Sequence, residues 1–237
     1  MTSASSARTF DVRHVQLARA AFAALAAVMI TFSPDHSAQV GMSVFSGFAI
    51  ATGLVLLLSV WLVHPAGRRW PAASLGGVTL VAGMAGGLMP LRTVTGFFSV
   101  VIAWALVSGV LELIAGWRAM RGPRARREIA PGVADVRPVV DPGPRSDARD
   151  GVVVGAVGVL LGIALALVPA GYALTYRVEE AGMTGTLTGI IIAVGIFGVY
   201  AAIVAVYLGI AGFSPRKEAE VVTEAPASAP ADQKDPA

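Results

Sequence analysis

The chain has 237 residues, of which 55% are hydrophobic and 14% are charged, and its mean hydropathy is +0.71. Ordinary soluble domains are about 45–50% apolar and about 25% charged, so this composition indicates an integral membrane protein. The absence of cysteine excludes disulfides, zinc thiolate sites and thiol catalysis. The formal charge of +3 does not indicate nucleic-acid binding, because the arginines collect at the ends of apolar blocks, where they report membrane orientation.

Six apolar blocks approach or exceed the roughly 20 residues that a helix needs to cross a bilayer core of about 30 Å. The first block is longer than the core of a typical secretion signal, at about 7 to 15 residues, and it contains Arg19. We therefore interpret it as a retained span that follows a short segment at 1–13. The sequence predicts an all-α, polytopic membrane protein with transmembrane helices at 14–32, 39–63, 72–90, 94–116, 151–170 and 186–212.

Basic residues cluster before the first block, between the second and third, after the fourth and after the sixth, whereas the opposite connections carry few cations. By the positive-inside tendency, both termini are cytoplasmic. The residues of these clusters are Arg8, Arg13, Arg68, Arg69, Arg118, Arg121, Arg124, Arg126, Arg127, Arg216 and Lys217.

Two segments outside the blocks lack the apolar residues of a folded core. The connection at 117–150 is rich in arginine and proline, and the end of the chain at 213–237 is rich in alanine, proline and acidic residues. Such segments bury too little surface to offset their ordering entropy. We expect a cytoplasmic linker at 117–150 and a disordered cytoplasmic tail at 213–237.

A two-helix pattern recurs three times around Pro34, Pro90 and Pro169, which end the odd-numbered blocks. Small residues lie fourteen, eleven and seven positions before each proline, a spacing that stacks them on one helix face. Because such faces favour close packing in lipid, we expect the first, third and fifth helices to pack at the centre, with a homo-oligomer interface as the alternative. The positions assigned to helix packing are Ala20, Ala23, Ala27, Gly76, Gly83, Gly155, Gly158 and Gly162.

The third repeat contains an insertion at 172–185, which we expect to be the largest folded feature on the outer side. A polar cluster that could bind an external ligand would lie near it. We favour an interpretation in which Asp35 or Ser37 caps the second helix and His36 stays solvated, over a charge switch of His36 in mild acid. The residues of this outer polar cluster are Asp35, His36, Arg92, Arg177, Glu179 and Glu180.

Glu112 is the one acid well inside a predicted span, and Arg19 lies at a similar depth on the first helix. A lone charge at the bilayer centre costs about 2.5 to 3.5 kcal/mol on insertion scales. We therefore predict a contact between Arg19 and Glu112 that fixes the first helix against the fourth. The alternatives are a proton-accepting carboxylate and snorkelling of both side chains to the headgroups.

No motif predicts catalysis. The glycines of 83–87 lack the Lys-Ser/Thr pair of a phosphate loop and lie inside an apolar block, and neither a nucleophile elbow nor metal-spaced histidines occur. We expect no enzyme activity, no catalytic residues, no cofactor and no metal.

The tandem hairpins, with a proline at each outer end and glycine-punctuated even helices such as Ser108-Gly109-Val110-Leu111-Glu112-Leu113, resemble the HdeD-like family of six-span bacterial membrane proteins. The resemblance covers the six spans but neither the linker nor the tail. It implies a protein of the bacterial inner membrane, with a link in some members to acid resistance, and it supplies no catalytic residues.

Three hypotheses follow. The first is a non-enzymatic membrane protein that supports the envelope under acid or related stress. The second is a small proton-coupled transporter or permease, which requires a water-accessible cavity lined by Arg19, Glu112, Thr52 and Ser108. The third is an accessory subunit that binds a cytoplasmic partner through 118–150.

Overall fold

A computed structural model describes residues 10–64, 69–121, 145–178 and 183–214. Most of the predicted linker, the tail beyond Ser214, the first nine residues, Arg68, Glu179 and Glu180 lie outside these ranges. The described part contains six α-helices, a short 3₁₀ helix at Met89–Leu91 and one β-hairpin. The elements are α1 (Val12–Thr31), α2 (Ala38–Leu62), α3 (Trp70–Gly87), α4 (Val94–Arg121), α5 (Arg145–Leu167), β1 (Ala173–Val178), β2 (Met183–Thr188) and α6 (Gly189–Phe213).

The protein is a multi-pass helical membrane protein. Five helices, α1, α2, α4, α5 and α6, are long and apolar enough to cross a membrane by length and composition. The shorter α3, in which glycine and alanine replace many larger apolar residues, is not among them. Large apolar side chains on the outer helix surfaces provide the contact with the lipid bilayer. Examples are Leu25, Val81, Leu160, Val199 and Ile210, each more than half exposed.

Two helices extend beyond their predicted boundaries. Helix α4 continues to Arg121 and α5 begins at Arg145, whereas the sequence predicted ends at 116 and a start at 151. The hydropathy pattern stops at the first charges, but an α-helix continues through them because arginine and alanine are good helix formers.

The all-α prediction is incomplete, because the insertion of the third repeat folds as a β-hairpin. Strands β1 and β2 pair antiparallel with Leu174 opposite Leu187 and Thr175 opposite Thr186. Threonines alternate along β2, and alternation combined with β-branched residues is typical of strands. The predicted sixth span also began too early, since residues 186–188 belong to β2 and α6 begins at Gly189.

The helices form three antiparallel pairs, α2 with α3, α4 with α5, and α6 with α1. The sequence predicts different pairs, in which each odd-numbered block forms a hairpin with the even-numbered block that follows it. Pairing is tightest where the small residues lie: a Cβ at Gly83 would come 2.7 Å from the backbone nitrogen of Ile50. The hydroxyl of Ser46 also donates a hydrogen bond of 2.7 Å across this pair, to the Gly83 carbonyl.

The expectation that the odd helices pack together at the centre is wrong. The centre is formed by the even helices, through ring contacts among Phe48, Trp104, Phe197 and Tyr200. The helices α1, α3 and α5 instead lie on the outside of the bundle, and each packs its small face against an even-numbered helix. The reason is volume, because small residues let two backbones approach whereas a three-helix centre must be filled by large side chains.

The bundle has two distinct ends. At one, here named the basic end, the first turn of α1 meets the last turn of α6, since a Cβ at Gly212 would contact Leu17 and approach the Arg13 carbonyl. The arginines of the helix ends, including Arg118 and Arg121, lie at the same end. The other end, named the loop end, carries the Pro34 turn, the 3₁₀ helix and the β-hairpin.

The glycine contacts predict a position-specific cost of adding one methyl group. We expect Gly155→Ala to lower the melting temperature, because its Cβ would lie 2.6 Å from the Leu113 nitrogen and 2.7 Å from the Gly109 carbonyl oxygen, both backbone atoms. The matched control is Gly47→Ala on α2, where a Cβ meets nothing within 4 Å and alanine is the better helix former. Thermal unfolding in detergent micelles measures both; equal melting temperatures would contradict this packing.

Candidate functional site

A charged pair lies inside the bundle toward the basic end. Arg19 of α1 donates from Nη1 to Glu112 Oε1 at 2.8 Å and from Nη2 to Oε2 at 3.3 Å. The two side chains are only 14% and 12% exposed. This bidentate geometry is the strongest form of a guanidinium–carboxylate ion pair. The contact predicted from the sequence is therefore present, and it joins α1 to α4, which are not close-packed neighbours.

The depth of the pair explains why both charges are needed. Arg19 lies about 10 Å of helix rise from the start of α1, and Glu112 about 14 Å from the end of α4. A charge at this depth in an apolar bundle would remain poorly solvated without a partner. The pair is held at about the same height because α1 and α4 run in opposite directions.

A second polar cluster lies next to the pair, one turn closer to the basic end. The side-chain amide of Gln16 donates to Asp150 Oδ2 at 2.8 Å, and the Tyr207 hydroxyl donates to Asp150 Oδ1 at 3.0 Å. Gly151 follows Asp150 and lies against the Glu112 backbone. The cluster ties α1, α5 and α6 together, so the two polar groups connect four helices.

The sequence reading missed Gln16, Asp150 and Tyr207. The sequence predicts Asp150 to be part of the linker, whereas it lies on the first turns of α5. A signal was available: Gln16 lies three residues before Arg19 and therefore on the same helix face. That face is turned inward, as Gln16 is 6% exposed.

A small cavity lies beside the charged pair, at the centre of the bundle. Its volume is about 20 Å³, which is enough for one water molecule. Thr52 of α2 and Ser108 of α4 provide hydroxyls in its wall, and Arg19 and Glu112 provide the charges. The full lining is Arg19, Phe48, Thr52, Leu56, Leu75, Thr79, Trp104, Ser108, Glu112, Tyr200 and Val204.

Aromatic rings form the part of the cavity wall that faces the loop end. The rings of Phe48 and Trp104 meet edge to face at 5.9 Å, and those of Trp104 and Tyr200 do the same. The indole Nε1 of Trp104 donates to Thr79 Oγ1 at 3.3 Å, which satisfies its buried N–H. The polar groups of the basic end are thus separated from the loop end by packed rings.

The internal repeat explains the composition of the cavity. Thr52 and Ser108 lie eighteen positions after Pro34 and Pro90, and Phe48 and Trp104 lie fourteen positions after them. Leu56 and Glu112 form the next equivalent pair, at twenty-two positions. On the odd helices, Arg19 and Leu75 both lie fifteen positions before their proline. The two charges therefore replace leucines of a repeated layer.

The outer polar cluster is not assembled among the described residues. Asp35 accepts from the backbone N–H and the hydroxyl of Ser37, and Ser37 caps α2 through the Val40 N–H, as the capping interpretation predicted. Arg92 donates to the carbonyl of Gly87 at 3.4 Å, at the end of α3. Within the described ranges no hydrogen bond or ion pair joins Asp35, His36, Arg92 and Arg177 to one another.

Within residues 10–64, 69–121, 145–178 and 183–214, no three histidine or acidic side chains lie close enough together to hold a metal ion.

No protein-family model, curated protein or solved structure matches the chain.

Removing one member of the charged pair should cost more than removing both. We expect Arg19→Met to lower the free energy of unfolding by about 3 to 5 kcal/mol, because it leaves the Glu112 carboxylate buried and unpaired. The double variant Arg19→Met with Glu112→Leu should recover most of that loss. Denaturant titration in micelles measures the three values.

The control for this prediction is Arg13→Met on the same helix, whose side chain is exposed. A change there should stay within about 0.5 kcal/mol. Additive losses at Arg19 and Glu112 would show that the two side chains do not stabilise the fold as a pair.

Proposed function

We propose that this protein is a non-enzymatic, multi-pass membrane protein of the HdeD-like type, located in the bacterial plasma membrane, and that it supports the cell envelope under acid or related stress. The observation that carries the non-transport part of this proposal is the closed centre of the bundle. The stress role and the choice of membrane rest on the sequence resemblance alone.

The closed centre supports a scaffold over a permease. A permease needs a polar site that admits its solute near the bilayer midplane. At the corresponding place this bundle has packed aromatic rings and a cavity for one water molecule. Arg19 and Glu112, the residues that a proton-coupled mechanism would use, are bonded to each other, so their geometry fits a structural lock.

The contacts between helices also support six crossings with both termini on one side. The start of α1 and the end of α6 are adjacent, which requires an even number of crossings. Helix α3 packs along α2 over most of its length, from Gly76 near Leu57 to Gly86 near Met42. A glycine- and alanine-rich helix can remain in a bilayer when a neighbour covers it. The basic end would then be the cytoplasmic one.

Reporter fusions test this topology. We expect alkaline phosphatase fused after Arg92 or within the β-hairpin to be active, and the same enzyme fused after Arg69 or Ser214 to be inactive. Green fluorescent protein at the same four sites should give the opposite pattern. Matching signals on both sides of α3 would show that α3 does not cross.

Two linked measurements test the function. Deletion of the gene should lower survival after acid challenge, and expression of the intact chain should restore it. Purified protein in liposomes should add no proton flux above protein-free liposomes, as followed with an internal pH dye. Proton flux that is lost in Glu112→Gln would replace this proposal with the proton-coupled transporter.

The same strains separate the scaffold from an accessory subunit. A chain without 122–144, joined by a flexible linker of equal length, keeps all the described helices. We expect it to restore acid survival fully. Loss of survival with normal amounts of membrane-inserted protein would favour a cytoplasmic partner that binds this segment.

A further inference from the structure

We propose that the central cavity is a binding site for a single water molecule, which bridges Arg19 and Thr52. Two observations point to it independently of any function. The cavity has the volume of one water, and two of the residues that line it each have a buried polar atom without a hydrogen-bond partner. These atoms are Arg19 Nε and Thr52 Oγ1.

Neither atom is explained by the protein groups around it. Thr52 is 4% exposed, and its hydroxyl has no hydrogen-bond partner. The hydroxyl of Ser108, in contrast, donates to the Trp104 carbonyl at 2.6 Å. Arg19 donates to Glu112 from both terminal nitrogens, so Nε is the one guanidinium nitrogen that has no hydrogen-bond partner. Leaving a buried polar group unpaired is costly, and buried water is the usual solution in a polar cavity of this size.

The chemistry of the wall selects water over an ion. A ligand must accept a hydrogen bond from Arg19 Nε–H, which excludes a metal cation or ammonium. The charges of Arg19 and Glu112 already compensate each other, so a bound anion would add an unbalanced charge in a poorly solvated place. Water is neutral, accepts from the guanidinium, and can donate to or accept from the Thr52 hydroxyl.

The water would complete the polar layer between α1, α2 and α4. Glu112 accepts from the two terminal nitrogens of the guanidinium and the water would accept from Nε, so all three nitrogens would have a partner. Since Thr52 lies on α2, the water extends the link between α1 and α4 to a third helix. The aromatic rings close the cavity toward the loop end, so exchange with solvent would occur from the basic end.

Substitution of Thr52 tests the proposal by the sign of its effect. Thr52→Val keeps the shape of the side chain and removes the hydroxyl. If a water bridges the two residues, this variant should melt about 2 to 4 °C lower than the intact protein, since the water loses a partner. If the cavity is dry, the same variant removes an unpaired buried hydroxyl and should melt at the same temperature or higher, which would overturn the proposal.

Two companion variants make the result specific. Thr52→Ser keeps the hydroxyl and should therefore melt closer to the intact protein than Thr52→Val does, apart from the loss of one methyl group. Ser46→Ala removes a buried hydroxyl that is bonded to the Gly83 carbonyl, away from the cavity, and measures the ordinary cost of such a change in this bundle. Equal melting of Thr52→Ser and Thr52→Val would assign the effect to packing and contradict a bridging water.

A direct observation and an ion control complete the test. An experimental map that resolves ordered water should show one peak within hydrogen-bond distance of Arg19 Nε and Thr52 Oγ1. An empty cavity in such a map would overturn the proposal. Melting should also be unchanged when chloride is exchanged for gluconate at constant ionic strength, whereas a decrease that is confined to proteins with Thr52 would identify a bound anion instead.

Discussion

Close approach of helix backbones in three antiparallel pairs is the constraint on which the rest of the bundle depends. In lipid, hydrophobic exclusion does not drive helices together, so the association energy must come from packing and from hydrogen bonds between helices. Glycine and alanine permit that packing where α2 meets α3, α4 meets α5 and α6 meets α1. Each pair places one even helix inward, and the three even helices then fill the centre with large side chains. The closure of α6 onto α1 makes the repeat cyclic.

The charged pair matters for the register of α1, because the inner face of this helix is nearly uniform in residue size. The inner face of this helix is formed largely by alanines such as Ala20, Ala23 and Ala27, which are alike in size. A slip of α1 by one turn against its neighbours would replace one alanine by another at small cost. Such a slip would break the contact of Arg19 with Glu112 and that of Gln16 with Asp150. A buried polar pair can fix the register of a helix even where replacing both partners by apolar residues would leave the stability nearly unchanged.

The polar centre arises from small departures within a repeated layer. Equivalent positions of the first two repeats supply a hydroxyl in both cases, Thr52 and Ser108, and an aromatic ring in both cases, Phe48 and Trp104. The charges occur where the equivalent residues are Leu75 and Leu56. One arginine and one glutamate, introduced in different repeats, meet because the cyclic arrangement brings α1 and α4 to the same layer.

The sequence by itself determined the membrane character, the six helices and the small faces, since hydropathy and residue size are local properties of the chain. It also predicted the contact of Arg19 with Glu112, because two opposite charges at one depth have few other partners in lipid. Only the tertiary structure decided that the even helices form the centre, that the helices pair across the predicted hairpins, and that β1 and β2 form a hairpin. Which helix accepts a given small face depends on the shapes of all the other helices, and no local pattern contains that information. The same holds for the site of Asp150, whose partners on α1 and α6 are distant in sequence and adjacent only after the bundle has closed.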